Sequence, residues 1–171
     1  MEELNRLEPE EFKKAEKNPV IILLDNVRSL HNVGSAFRTA DAFRVEKILL
    51  CGITGTPPNR EIHKTALGAT ESVSWEYHQN SLEVARVLKE DGWKLIVLEQ
   101  TSGSIYLQKF IPEKNDKYCF IFGNEVAGVE DEIIHLADTV VEIPQFGTKH
   151  SLNISVSIGI VLWDYFIKSP T

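Results

Sequence analysis

The apolar residues of this chain fall in short, nearly continuous runs: Val20 to Leu24, Lys47 to Cys51, Trp93 to Leu98, Tyr118 to Phe122 and Thr139 to Ile143. Runs of this length without alternation fit strands buried on both faces, as in a parallel sheet. Val73 to Tyr77 alternates instead and reads as a strand with one wetter face. Helical patterns lie between the runs. Pro9 to Lys17 has Pro and Glu in its first turn. Gly34 to Ala42 carries small residues at Ala36, Ala40 and Ala42. Arg60 to Leu67 follows a turn-rich loop. Ser81 to Glu90 points Leu82, Ala85, Val87 and Leu88 one way and is closed by Asp91-Gly92. Glu130 to Ala137 starts on acidic residues. Ser151 to Ile167 is apolar over most of its circumference, so it must be buried on several sides. A second subunit is the simplest cover for such a helix. Strands alternating with helices predict an α/β fold, a mostly parallel sheet with helices on both faces. One domain over residues 1–171 is expected, with a short N-terminal helical segment over 1–19.

Composition narrows the class. No apolar run approaches membrane-span length and the N-terminus is acidic, which points to a cytoplasmic protein. Cys51 and Cys119 fall in predicted strands without a Cys/His ligand spacing. They read as buried, reduced packing residues, and no metal site is expected. A net charge of −7 disfavours a general nucleic-acid binder. Yet between Asn26 and Lys64 the chain holds Arg28, Arg38, Arg44, Lys47, Arg60 and Lys64 against Asp41, Glu46 and Glu61. A local basic face within an acidic whole is consistent with this.

The candidate chemistry sits where the apolar runs break. There is no G-x-G-x-x-G, no P-loop and no G-x-S-x-G elbow. What remains is a set of polar turns, and in open α/β sheets ligands sit at the carboxyl ends of strands. Asn32-Val33-Gly34 precedes a predicted helix and suits a cap. Arg38, one turn further, would then lie near a helix start able to hold a phosphate. Gly123-Asn124-Glu125 follows a buried strand, where Gly123 permits close backbone approach. Ser151 suits an N-cap, while Asn153 and Ser155 are polar in a helix otherwise apolar and need partners, a ligand being one candidate.

Three blocks, Asn32-x-Gly34-x-x-x-Arg38, Gly123-x-Glu125-x-x-Gly128, and Ile143-Pro144 through Ser151-Leu152-Asn153-Ile154-Ser155-Val156, resemble in order the motifs of the SpoU (TrmH-like) RNA ribose 2′-O-methyltransferases of the SPOUT superfamily. The resemblance covers roughly residues 20 to 167. It implies S-adenosylmethionine as methyl donor, a homodimer, a C-terminal trefoil knot, and RNA as substrate, with tRNA expected ahead of rRNA. It places Asn32, Arg38, Glu125, Ser151 and Asn153 at catalytic positions. The cofactor would lie among Leu98, Glu99, Gly103, Gly123, Asn124, Glu125, Gly128, Ile143, Pro144, Gly147, Ser151, Leu152 and Asn153. Arg28, His31, Arg38, Arg60 and Lys64 are the candidate RNA contacts. In the family the dimer brings Arg38 of one subunit towards the cofactor of the other. The sequence departs from some relatives in having no separate RNA-binding domain and no basic C-terminal tail, and in placing Phe43-Arg44 where many have Gly. Two other readings stay open: a non-catalytic RNA-binding or assembly protein that retains the fold, and an enzyme acting on a nucleotide-like small molecule.

Overall fold

The computed structural model describes residues 8–148 and 151–169. The strands are β1 (Asn18–Asp25), β2 (Val45–Cys51), β3 (Trp75–His78), β4 (Trp93–Leu98), β5 (Ile105–Tyr106), β6 (Lys117–Phe122) and β7 (Thr139–Glu142). They form one sheet in the order β3-β2-β1-β6-β4-β7-β5. Every pairing between named strands is parallel. The helices are α1 (Pro9–Lys14), α2 (Leu30–Ala42), α3 (Arg60–Ala66), α4 (Ala69–Ser72), α5 (Ser81–Glu90), α6 (Asp131–Leu136) and α7 (Ile154–Lys168).

The period-two geometry of a strand sorts the continuous apolar runs into two cores. Val20, Ile22 and Leu24 of β1 face one layer with Val33, Phe37, Ile62, Ile158 and Val161. Ile21 and Leu23 face the other, with Ala85, Leu88, Leu95, Cys119, Ile121 and Ile133. Helices therefore cover both faces, as the unbroken runs require. Cys51 and Cys119 are buried free thiols. Burial, and then the charge of Asp25, pushes the Cys51 thiol up to about 12. At the far end of α7, Lys168 Nζ donates to the carbonyls of Leu107 and Phe110, at 3.0 Å each, and pairs with Asp164.

Several boundaries differ from expectation. α1 stops at Lys14 rather than Lys17: Ala15 is already extended, and Lys17 folds back over the Phe12 ring. α2 begins at Leu30, not Gly34, because Ser29 is the cap and its hydroxyl accepts from Asn32 N at 3.3 Å. Asn32 and Gly34 are therefore inside the helix, and Arg38 lies in its third turn instead of at its start. α7 begins at Ile154, with Asn153 rather than Ser151 as the cap. α4, the two-residue β5 and a 3₁₀ turn over Leu107–Lys109 were not foreseen. Arg44 adopts the left-handed region, φ 46°, just past the end of α2, a conformation that favours Gly. The threading expected of the C-terminal segment involves 149–150, outside the described residues. Among the described residues no helix is long and apolar enough to cross a membrane. None of them form a group of three or more His, Cys, Asp or Glu suited to a metal ion.

Candidate functional site

The carboxyl ends of β4, β6 and β7 and the start of α7 surround a cavity of about 560 Å³. β4 contributes Leu98 and, just beyond it, Glu99 and Gln100. β6 contributes Phe122 and the turn Gly123, Asn124 and Glu125. β7 contributes Glu142, followed by Ile143 and Gln145. Ser151 to Ile154 and Ser157 close the remaining side, and Asn32 reaches in from α2. Apolar walls (Leu98, Phe122, Ile143, Leu152, Ile154) thus alternate with carboxylates and amides. Glu99, Glu125 and Glu142 line the cavity, and no Lys or Arg among the described residues does.

The 123–128 turn is built by its own side chains. Asn124 Oδ1 accepts from Val126 N and Ala127 N, each at 2.9 Å. Asn124 Nδ2 donates to Asn26 O at 2.7 Å. Backbone bonds between Asn124 and Gly128 at 2.9 Å close the loop on itself. A Cβ on Gly123 would stand 2.2 Å from the Gly128 carbonyl carbon, so only Gly permits this closure. Glu99 braces the same loop: its carboxylate accepts from Val129 N at 3.2 Å and from Gln100 N at 2.9 Å.

Glu125 joins this turn to α2. Its carboxylate accepts from Arg28 N and Ser29 N at 3.0 Å and from Asn32 Nδ2 at 3.3 Å. A negative charge at a helix start is favoured there. Burial alone would raise the Glu125 carboxyl. The N–H groups of Arg28, Glu125 itself and Ser29, with the Asn32 amide, outweigh that and hold it below the usual glutamate range. The amides expected to cradle a phosphate beside Arg38 are thus occupied by Ser29 and Glu125, and that expectation is corrected.

Of the candidate catalytic residues, Asn32, Glu125, Ser151 and Asn153 converge on the cavity. Arg38 does not line it; it is exposed on α2 with no side-chain partner among the described residues. Of the candidate cofactor positions, Leu98, Glu99, Gly123, Asn124, Glu125, Gly128, Ile143, Ser151, Leu152 and Asn153 line the cavity. Gly103, Pro144 and Gly147 stand outside its lining, Gly103 and Gly147 being exposed. Gly34 has a packing role: a Cβ there would meet Thr65 Oγ1 at 2.1 Å and the Ile62 carbonyl oxygen at 2.2 Å. Ser155 does not reach into the cavity lining; its hydroxyl donates to Asn153 Oδ1 at 2.6 Å. Ser157 lines the cavity instead, one turn beyond Asn153, a spacing that the helical period carries in the sequence. Gln100, Glu142 and Gln145 line it as well, within the strand-end stretches 98–103 and 142–147 expected to form the site. Among the candidate RNA contacts, Arg28, His31, Arg60 and Lys64 are exposed, but His31 and Lys64 share Glu61, at 2.8 and 2.7 Å.

A family model described as the SpoU rRNA Methylase family matches residues 19–163. The 23S rRNA (guanosine-2'-O-)-methyltransferase RlmB of Neisseria meningitidis serogroup B is 33% identical over 144 residues, covering 84% of this chain and 56% of the relative. A tRNA (guanosine(18)-2'-O)-methyltransferase of Thermus thermophilus is 28% identical over 162 residues, covering 95% of this chain and 81% of the relative. The crystal structure of an AdoMet-bound rRNA methyltransferase from Sinorhizobium meliloti superposes with a TM-score of 0.80 at 27% identity, over 90% of this chain and 58% of that one. Against the RlmB relatives of Neisseria and Vibrio the chain spans 56 to 64% of their length.

Proposed function

The chain belongs to the SpoU rRNA Methylase family, and on that footing we propose that it is an S-adenosylmethionine-dependent RNA methyltransferase acting on a ribose 2′-hydroxyl of tRNA or rRNA as a homodimer. The observation that carries this reading is the cavity at the strand ends, in which Asn32, Glu125, Ser151 and Asn153 meet.

The residues present fit the donor. A cavity of about 560 Å³ is of a size that holds a nucleoside with an amino-acid arm. Its apolar walls suit the adenine. Its carboxylates, with no Lys or Arg among the described lining residues, suit a sulfonium cation and hold its neutral product less well. S-adenosylmethionine would supply an electrophilic methyl there. Glu125 and Ser29 fix the start of α2, and Asn32 with it, relative to the 123–128 turn. Ser151 and Asn153 are at the cavity rim, where a ribose hydroxyl would enter. That hydroxyl must shed a proton as it takes the methyl. Arg38 of the partner subunit is assigned to the adjacent phosphate and to the developing alkoxide, because a guanidinium stays protonated and acts best as an electrostatic stabiliser.

Two features support the dimer. α7 leaves Val156, Ile160, Trp163 and Ile167 from 37 to 57% exposed at helical spacing. Arg38 has no side-chain partner among the described residues and stands on α2, the helix against which α7 packs. The trefoil knot belongs to the same proposal, supported by the return of Ser151–Asn153 into a cavity built by β4 and β6.

The test is methyl transfer from labelled S-adenosylmethionine to unmodified bulk tRNA and, separately, to rRNA, followed by nucleoside analysis. Label at a 2′-O position in one pool, lost in Arg38→Ala, is expected. Near-full activity in Arg38→Lys would remove Arg38 from the mechanism, since Lys keeps the charge but loses the planar fork. Absence of donor binding would return the chain to the non-catalytic RNA-binding reading.

A further inference from the structure

A second cleft, also about 560 Å³, opens on the other side of the 123–128 turn. Asn124, Val126 and Gly128 are common to both linings. The second cleft lies where β1 and β6 adjoin, the place at which the chain's progress across the sheet reverses. β1 leads outward to β2 and β3 on one side, and β6 borders β4 on the other. In open α/β sheets such a reversal is where ligands bind. The donor cavity lies to one side, over β4, β6 and β7, so the reversal itself is left to another ligand.

The cleft's chemistry is specific. Ile53 and Val126 are large apolar residues at its lip, 65% and 84% exposed. Glu130 presents a carboxylate whose side chain makes no cap bond to α6 and has only Asn26 Nδ2, at 3.4 Å, as a neighbouring donor among the described residues. Asp25 beside it is already committed to Asn26 Nδ2 at 2.8 Å, Ser81 Oγ at 2.7 Å and Glu130 N at 3.3 Å. Burial and the charge of Asp25 push the Glu130 carboxyl up, so a donor arriving there relieves an unfavourable charge. Arg28 stands at the same lip, exposed and without a side-chain partner among the described residues.

We propose that this cleft holds a guanine base of the substrate RNA: its faces lie on Ile53 and Val126, its N1–H and N2–H₂ donate to the two Glu130 oxygens, and Arg28 meets a neighbouring phosphate. The inference rests on the RNA-methyltransferase reading and names the residues that would read the base. A flat apolar lip beside a carboxylate fits an aromatic ring with a donor edge. Adenine turns a ring acceptor towards the same carboxylate, and cytosine offers only its exocyclic amine.

The test uses the full chain, isotope-labelled for amide spectra and saturated with S-adenosylmethionine, titrated with the 5′-monophosphates of guanosine, adenosine and cytidine. Guanosine monophosphate should move the amides of Ile53, Val126, Ala127 and Glu130, with affinity roughly tenfold above the other two, as expected for one bidentate base contact. Glu130→Gln should bring the three nucleotides to equal affinity, and Ile53→Ser should weaken all three alike. Equal shifts for guanosine and adenosine monophosphates in the native protein, or a preference that survives Glu130→Gln, overturns the assignment. The donor titration alone separates the two readings. If the amides of Leu98 to Gln100 and Ile143 do not respond to S-adenosylmethionine, the enzyme reading fails. If they respond and the guanine preference is missing, only the cleft assignment fails.

Discussion

Gly34 stands inside the first of the three polar blocks, yet its surroundings assign it to packing, and Gly34→Ala tests that assignment with a sign. In an exposed helix this change stabilises by about 1 kcal/mol, because Gly carries excess backbone entropy into the unfolded chain. Here the added Cβ would stand 2.2 Å from the Ile62 carbonyl oxygen and 2.1 Å from Thr65 Oγ1, against a 3.0 Å floor for real Cβ contacts. The threonine hydroxyl can rotate away; the α3 carbonyl cannot. Relief requires α2 and α3 to separate by about 1 Å, loosening Val33, Ile62 and Ala66, and overpacking of this kind costs about 1–3 kcal/mol. Contact with backbone places the cost near the upper figure. The net expectation is a loss of about 2 kcal/mol, which lowers the melting temperature by about 4–8 °C for a domain of this size. Urea unfolding followed by fluorescence of the three Trp residues measures it, with the slope unchanged if only the folded state is affected. A variant more stable than the native protein by about 1 kcal/mol would refute the close approach of α2 to α3.

Other substitutions probe the strand-end turns. Asn26 has φ 55° and ties three loops together: it accepts from Ile53 N at 3.1 Å, donates to Asp25 at 2.8 Å, and offers its carbonyl to Asn124. Asn26→Gly keeps that backbone and loses the side-chain bonds, so a cost of about 2 kcal/mol in urea unfolding is expected, with Asn26→Ala costing more through its positive φ. Arg44→Gly should stabilise by about 1 kcal/mol, because Arg44 holds the left-handed residue after α2; a destabilised variant would count against that strain. The Glu125 carboxyl is held below its usual value of 4.5, so its contribution is fully present above about that pH and is lost as pH falls through the lowered folded value. The stability gap between the native protein and Glu125→Gln should therefore close on acidification below pH 4.5, and a gap independent of pH would exclude the carboxylate as its source.

The parts of the fold that were legible in the sequence were those with one dominant physical cause. β4 and β6 follow from continuous apolar runs that water would penalise elsewhere. α5 follows from Leu82, Ala85 and Leu88 and the Asp91-Gly92 stop, although Val87, assigned to the same face, is 55% exposed. α2 was misplaced at its start because Asn32 and Gly34 both resemble cap residues. The cap that forms is Ser29, completed by Glu125, whose position 96 residues away no local pattern reveals. The turn residues of the cavity were legible because polar residues directly after a buried strand must emerge at its end. Ser157 was missed by attention to the neighbouring Ser155, although the period of α7 separates the two. Arg38 was assigned to the site by resemblance alone, and nothing among the described residues draws it to the cavity.

The position of β6 sets an order on how this molecule can come into being. β6 is paired on one side with β1 and on the other with β4, and no other strand among the described residues links those two. A growing chain that has emerged only as far as Asp116 therefore holds β1-β2-β3 and β4 as separate pieces, each with an unpaired apolar edge. Neither edge is covered until six further residues, Lys117–Phe122, slide between them. All of the sequence through Phe122 must leave the ribosome before these two pieces can be joined. Until then its most hydrophobic edges are open to the wrong partner. Conditions that slow synthesis after residue 116 should be more damaging to this protein than conditions that slow it earlier.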